Sequence, residues 1–543
     1  MEPELIVVNG DIHTMNSVSP TAQALAIHAG KIVALGATDQ IRSLAGKRTR
    51  IIDAGGRMVL PGFQDAHIHL LNGGVDLIQT AYLYDATSVS ELQAVMAAHA
   101  KAYRGALVMG AGWQCGFFGD VNLTRAVLDA VVPDRPCLIY DGNFHNACLN
   151  SAACQMVGLQ AGTPDPLNGH FVLDQKGVPT GMLHEEAINW ALQRLPQMDD
   201  DTYREGLRAG QAHANRHGIT GIIDPWILDH HKRIYSEMAQ AGELTLRVSG
   251  AANVMASEPV EEAVQRITHW RAEQQHEFFQ INAAKFFLDG GLENRTAAMI
   301  APYADGEAGN APLMFSPDQI ARYFAAFDSA RFQIHVHCIG DLAVRAALDG
   351  FEAARNVNGA WPSLHQIAHV EVVHPSDMPR FAALGVMANC QPLWAAWDPI
   401  IPDHTMEMVG QDRMPFVYPF RSLIDAGAPW CINSDFAVTT LNPFEIIETA
   451  VTRQTPRKRG QREPFVPEQR ITVGEALLGY TRNAAAACWR GHATGALMRG
   501  FSGDFIILDR NILTCDPYEI GEAEVQLTVI AGREVWRSPG FGG

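Results

Sequence analysis

The sequence predicts an α/β protein: a (β/α)8 TIM barrel, a β-sandwich domain assembled from both chain termini, and a cap subdomain inserted near the barrel's start. Three observations carry that prediction. Short apolar runs alternate with helical patterns through the middle of the chain, as in β/α units around a parallel sheet. Eight such runs can be picked out, the number that closes a barrel. The two ends, unlike the middle, read as short strands separated by turn signals.

In chain order, residues 5–8, 25–28, 32–35 and 50–52 are strand candidates bounded by Asn9-Gly10, Gly30-Lys31 and Gly55-Gly56. Residues 503–509 and 525–536 repeat that style, so residues 1–60 and 491–543 are read as one sandwich bracketing a barrel over residues 61–490. The barrel strands are expected at 62–69, 220–225, 246–251, 282–289, 332–338, 366–372, 385–391 and 429–435. About 150 residues separate the first two, too many for a structureless loop. With strand-like runs at 106–109 and 137–141 and a helical stretch near 185–195, residues 71–218 are expected to form a cap over the first strand's mouth. Residues 453–465, rich in Arg, Lys, Gln and Pro, are read as an exposed loop.

Composition narrows the function. With 543 residues, 47% hydrophobic and 18% charged, the chain can bury one large core and at least one smaller one. A net charge of −18 argues against nucleic acid and membrane surfaces as partners, leaving a small-molecule substrate, with a homodimer still open. The nine cysteines are scattered and form no Cys-x-x-Cys pair, which points to a reducing cytoplasmic location and to neither a disulfide framework nor a thiolate zinc site. The N-terminus turns strand-like within a few residues, unlike a secretory signal. No apolar run approaches the roughly 20 residues that span a bilayer.

The chemistry starts at Asp65-Ala66-His67-Ile68-His69. Side chains two apart in a strand share a face, so His67 and His69 can grip one metal ion together. Alone, such a pair is more often two polar residues on one face. In a β/α barrel, however, functional groups sit at the C-terminal ends of the strands. Those ends supply Lys285 from the fourth, His335 or His337 from the fifth, His369 from the sixth and Asp435 from the eighth. The ordered set, more than any member, indicates a metal site.

Lys285 is a single ammonium in an apolar run, either paired with a buried acid such as Asp289 or neutralised by burial. A neutral amine can take up carbon dioxide, and the carbamate can bridge two metal ions. His337, nearer the strand's end, is the expected ligand, and His335 a hydrogen-bonded residue deeper in the barrel. At the close of the last strand, Asp435 can ligate metal and accept a proton from water that the cation has acidified to about 7, then return it to a leaving group; a helix N-cap is its competing role. Trp113, His145, Arg295, Trp394 and Trp397 are loop residues suited to an apolar pocket for an aryl or alkyl group, although each alone is more often packing.

The order of these ligands and the two-ended sandwich resemble the amidohydrolase superfamily. Longer strings are similar to its third family, which includes the N-substituted formamide deformylases. They are Leu60-Pro61-Gly62-Phe63 before Asp65-Ala66-His67; residues 145–150 leading into Ser151-Ala152; Gly181-Met182-Leu183 before Glu185; Asp289-Gly290-Gly291 followed by Arg295-Thr296-Ala297 and Pro302-Tyr303; residues 337–341; and Tyr480-Thr481-Arg482-Asn483-Ala484-Ala485. The resemblance implies that His67, His69 and Asp435 hold a more buried metal, His337 and His369 a more exposed one, and that Lys285 bridges them as a carbamate, with zinc as the expected ion. There are two departures. Gly500-Phe501-Ser502-Gly503-Asp504 stands where the family has Gly-Lys-x-Ala-Asp, a change expected to stay within the sandwich, and Glu293 interrupts small residues near the barrel mouth.

The implied activity is zinc-dependent hydrolysis of amide C–N bonds, in N-substituted formamides or N-acyl amines with an apolar substituent. A cyclic-amide, carbamate or lactone hydrolase is the nearest alternative. A non-catalytic regulatory protein on the same fold is a third reading.

Overall fold

The computed structural model describes residues 2–113, 123–142, 144–292, 295–304, 306, 310–397, 407–456, 459–460 and 462–543. They fall into two units, Met1–Leu70 with Gln211–Gly543, and Leu71–Gly210. The larger is built on eight parallel strands: β1 (Phe63–Asp65), β2 (Ile219–Ile227), β3 (Arg247–Asn253), β4 (Phe279–Phe287), β5 (Gln333–Cys338), β6 (Gln366–His369), β7 (Met387–Cys390) and β8 (Trp430–Ile432), each paired with the next. All eight expected strands are therefore present, with shifted ends. Their near-continuous burial is the mark of parallel strands covered on both faces. Helices stand between them from β2 onward; that at Pro317–Ser329 starts where the Ser316 hydroxyl accepts the Gln319 N–H and proline occupies the first turn.

β1 stops at Asp65, so His67 and His69 lie beyond the strand, not within it as read from sequence. The chain leaves the sheet there because its partners change: Ile68 N–H donates to the Ile223 carbonyl at 3.0 Å, while His69 N–H reaches the Phe436 carbonyl at 2.7 Å. Asp435 N–H donates back to the His67 carbonyl at 2.9 Å. The buried Asp65 carboxylate fastens the same seam, accepting the N–H groups of His67 and Ser434, each at 3.1 Å. Burial raises its pKa to about 7, against the pull of those two hydrogen bonds.

Across the barrel interior runs a head-to-tail row of buried carboxamides. Asn433 Nδ2 donates to Asn389 Oδ1 at 2.8 Å, Asn389 Nδ2 to Gln366 Oε1 at 2.8 Å, and Gln366 Nε2 to Gln333 Oε1 at 2.9 Å. Gln333 Nε2 ends the row on the carbonyls of Leu364 and Ala487. Each amide NH2 is answered by the next oxygen or by backbone carbonyls, which is what lets polar groups occupy this interior.

The sandwich has a four-stranded sheet, in the order Lys31–Gly36, Ala24–His28, Leu5–Val8, Arg50–Asp53, and a six-stranded one in which Met58–Pro61 pairs with Phe505–Leu508. Leu5, Val7, Leu25, Ile27, Val59, Phe505, Ile507 and Leu527 fill the core between them. Arg247 at the start of β3 ties the barrel to the sandwich through a buried ion pair with Asp504 and a 2.8 Å hydrogen bond to Ser502. The departure at Gly500–Asp504 thus sits where the two domains meet. The expected exposed loop holds only in part: Gly460, Arg462 and Glu463 are exposed, but Arg453 and Phe465 at its ends are fully buried. The Arg453 guanidinium bonds the carbonyls of Phe465 and Tyr418 at 2.7 and 3.2 Å and packs over the rings of Phe420 and Phe465, which compensates its burial.

The smaller unit is a mixed six-stranded sheet, in the order Gly169–Leu173, Pro179–Glu185, Asn146–Leu149, Cys137–Asp141, Val108–Trp113, Thr80–Tyr82, with apolar cores packed against it. Among the described residues no helix is long and apolar enough to cross a membrane.

Replacing Asp504 with alanine removes the buried carboxylate from the Arg247 guanidinium, whose side chain is 4% exposed, and leaves it Ser502 and the more exposed Glu277. Chemical denaturation should show a loss of about 3–5 kcal/mol, the usual penalty for breaking a buried pair from one side; a change below about 1 kcal/mol would show that the pair does not hold the two domains.

Candidate metal centre

Buried His67, His369 and Asp435 bring one potential ligand atom each to within 4.8 Å of one another. His69 joins them, its Nε2 3.3 Å from Asp435 Oδ1, with His67 Nε2 3.5 Å from the same oxygen. The grouping cuts across the division implied by the resemblance, since His369 stands with His67 and Asp435.

The backbone under this cluster is strained. His369, Val370 and Asp435 have φ of +80°, +44° and +52°, a left-handed region unfavourable to side-chain-bearing residues and worst for β-branched valine. Surrounding bonds hold it there: Val370 N–H to the Cys338 carbonyl at 3.2 Å, Val372 N–H to Ile339 at 3.0 Å, and the Asp435 bond across the seam.

Lys285 is fully buried, and its Nζ has no hydrogen-bond partner among the described residues; it lies 4.5 Å from the centre of the Phe287 ring. Burial lowers its pKa to about 7, although Asp435 and Cys338 pull the other way. Asp289 is not its counter-ion. That carboxylate accepts the N–H groups of Ala298, Ile339 and Gly340 at 3.0, 3.0 and 2.8 Å, pinning the loop after β4 to the end of β5. The approach is so close that a Cβ on Gly340 would meet the Ala298 carbonyl oxygen at 2.1 Å.

His335, level with Lys285 across the β4–β5 ladder, points its Nε2 to His67 Nδ1 at 2.9 Å, so it orients a candidate ligand from below. The ring of His337 lies 4.2 Å from that of His369, but its Nε2 faces the Gly290 carbonyl at 3.3 Å and Asp289 Oδ1 at 3.7 Å. It stands beside the cluster. The reading from sequence passed over Gln391, whose side-chain oxygen accepts from His369 Nδ1; its place at the end of the seventh apolar run was the only signal.

Of the pocket candidates, Trp394 is buried with its ring centre 6.5 Å from that of His369, and Arg295 occupies the turn after β4 at φ +57°. Trp397 packs on Phe465 at 4.9 Å. Trp113 is fully buried in the apolar core of the smaller unit, with Leu83, Met96 and Val108. His145, in the same unit, pairs with Glu185 at 2.8 Å, and Glu185 has φ +51°. Glu293 lies outside the described residues.

The donor set fits a divalent cation. Burial, then Lys285 and the neighbouring imidazoles, hold His67 well below the usual histidine range, so it is a neutral nitrogen donor. Burial alone would raise Asp435, but the hydrogen bond and charge of His69, with His369 and Gln391, outweigh it and bring the carboxyl to about 2. Neutral imidazoles and one carboxylate are ligands that zinc and similar borderline ions accept.

A model of the amidohydrolase family matches residues 50–536. The putative amidohydrolase YtcJ of Bacillus subtilis (strain 168) is 27% identical over 97% of this chain and 98% of its own length. The N-substituted formamide deformylase of Arthrobacter pascens is also 27% identical, over 97% of both chains. The crystal structure of an uncharacterized metal-dependent hydrolase from Pyrococcus horikoshii OT3 matches with a TM-score of 0.76 over 94% of this chain and 99% of that one, at 24% identity, and so shares the fold.

If the cluster is a metal site, His67→Ala and His369→Ala should each purify folded, by circular dichroism, but with most of the divalent ion gone. Elemental analysis finding the wild-type metal content in both variants would refute the assignment.

Proposed function

Because this chain belongs to the amidohydrolase family, whose members are metal-dependent hydrolases, we propose that it uses zinc to hydrolyse amide C–N bonds, in N-substituted formamides or N-acyl amines with an apolar N-substituent. The observation that carries the reading is the gathering of His67, His369 and Asp435 beside a buried, unpaired Lys285. The formamide class is suggested by the Arthrobacter relative, and a cytoplasmic location by the scattered cysteines.

His67, His69, His369 and Asp435 would hold the ion, with Lys285 as a carbamate and His337 completing a second position. A bound zinc polarises carbonyl groups and acidifies water to about 7. Asp435, ionised through the neutral range, would take the proton of the attacking water and return it to the departing nitrogen. The buried ring of Trp394 offers apolar surface beside His369 for the substituent. His335 holds the His67 ring in place through its 2.9 Å contact.

A panel of formamides, N-acyl amines, hydantoins, carbamates and lactones, assayed with zinc, tests the substrate class. Turnover confined to the last three would replace the amide reading with the cyclic-amide, carbamate or lactone one, and turnover of none by zinc-loaded protein would favour a non-catalytic role. Asp435→Asn should lower kcat on the best amide by at least roughly 10²-fold at matched metal content; an unchanged kcat would remove the aspartate from proton transfer.

Carbamylation has its own pH signature. Since Lys285 is lowered to about 7, its neutral, reactive fraction rises as pH passes upward through that value. Metal-stripped protein given zinc and bicarbonate should therefore recover more metal at pH 8 than at pH 6, and Lys285→Ala should lose metal at both, with partial rescue by short carboxylic acids. Full zinc content on an unmodified lysine, by mass spectrometry, would refute the carbamate.

A further inference from the structure

Gln391 follows directly on β7 and is 1% exposed. Its backbone is anchored on both sides: Cys390 pairs with Ile432 of β8 and with His369 of β6, and Pro392 opens the short 3-10 turn Pro392–Trp394, whose last N–H returns to the Gln391 carbonyl at 3.3 Å. The side chain has little freedom to swing. Its Oε1 accepts from His369 Nδ1.

That placement dictates a polarity. A carboxamide oxygen only accepts, so the Nδ1 of His369 must carry the proton. A neutral imidazole protonated at Nδ1 keeps its lone pair on Nε2, the form a metal ligand needs. One layer deeper, Asn389 on the same strand links β6 to β8 through side-chain amides, donating to Gln366 and accepting from Asn433. Gln391 repeats the link to β6 at the level of the site, with an imidazole in place of an amide.

We propose that Gln391 is a positioning residue that fixes the tautomer and ring orientation of His369. It touches neither substrate nor reacting atoms. The assignment rests on the metal-site reading above, and the test separates the two.

Protein stripped of metal by chelator is titrated with cobalt(II), followed by its visible absorption, for wild type, Gln391→Met and Gln391→Glu. Methionine matches the volume but offers no oxygen acceptor and no N–H; glutamate restores the acceptor. The expected result is a cobalt affinity about 10–100-fold weaker for Gln391→Met, recovery in Gln391→Glu, and metal-free melting temperatures alike in all three. Equal cobalt affinity for wild type and Gln391→Met would overturn the proposal, as would a loss that Gln391→Glu fails to recover. If Gln391→Met does not fold, the comparison of Gln391→Glu with Gln391→Leu decides on the same criterion. Absence of cobalt binding by wild type would instead overturn the metal reading itself.

Discussion

The site depends on closing one seam. Strands β1 and β8 are joined at their C-terminal ends by Asp65, which reaches Ser434 across 369 residues of sequence, and by two backbone bonds, from Asp435 N–H to the His67 carbonyl and from His69 N–H to the Phe436 carbonyl. Until that contact forms, the two carboxylates and two histidines at the seam belong to opposite ends of the chain. Once it forms, Asp435 comes within 3.3–3.5 Å of both imidazoles. Asp65 is thus structural by position and functional by consequence, since nothing else so directly sets the distance between the first ligands and the last.

Gathering ionisable groups in a dry interior resolves their charge states without any ion present. Burial drives His67 and His335 toward neutrality and Lys285 toward the free amine, while Asp435 stays charged because the hydrogen bond and charge of His69, with His369, outweigh its desolvation. Neutral donors around one anion are poised for a cation, and ligands that carry no protons need release none on binding. The left-handed backbone at His369 and Asp435 belongs to the same logic: the surrounding bonds impose ligand positions that the local sequence would not choose.

Much of this was legible in the sequence. Eight apolar runs gave eight barrel strands, and the strand-end rule found Lys285, His369 and Asp435, because parallel strands buried on both faces write themselves as continuous apolar stretches and their ends are marked by polar residues. What escaped is long-range. That β1 ends before its histidines, that His369 groups with His67, that Asp289 is occupied by backbone amides and that Trp113 packs into a core all follow from partners distant in the chain. The misreading at the ends of residues 453–465 has the same origin: a basic, polar composition gives no hint that Phe420 and Tyr418 await Arg453. Gln391 was invisible because an isolated amide has no spacing to betray it.

The row of carboxamides from Asn433 to Gln333 has a bearing on how such a protein can change. Asn389 and Gln366 each give and receive within it, so altering either leaves two neighbours with buried, unanswered groups, and a charged replacement would disturb the direction of the row. The segments beyond the strand ends lie outside this row. New substrate preferences are therefore expected to arise by drift in those rim segments, while the interior amides act as a ratchet that keeps the metal ligands where they are through each change of pocket.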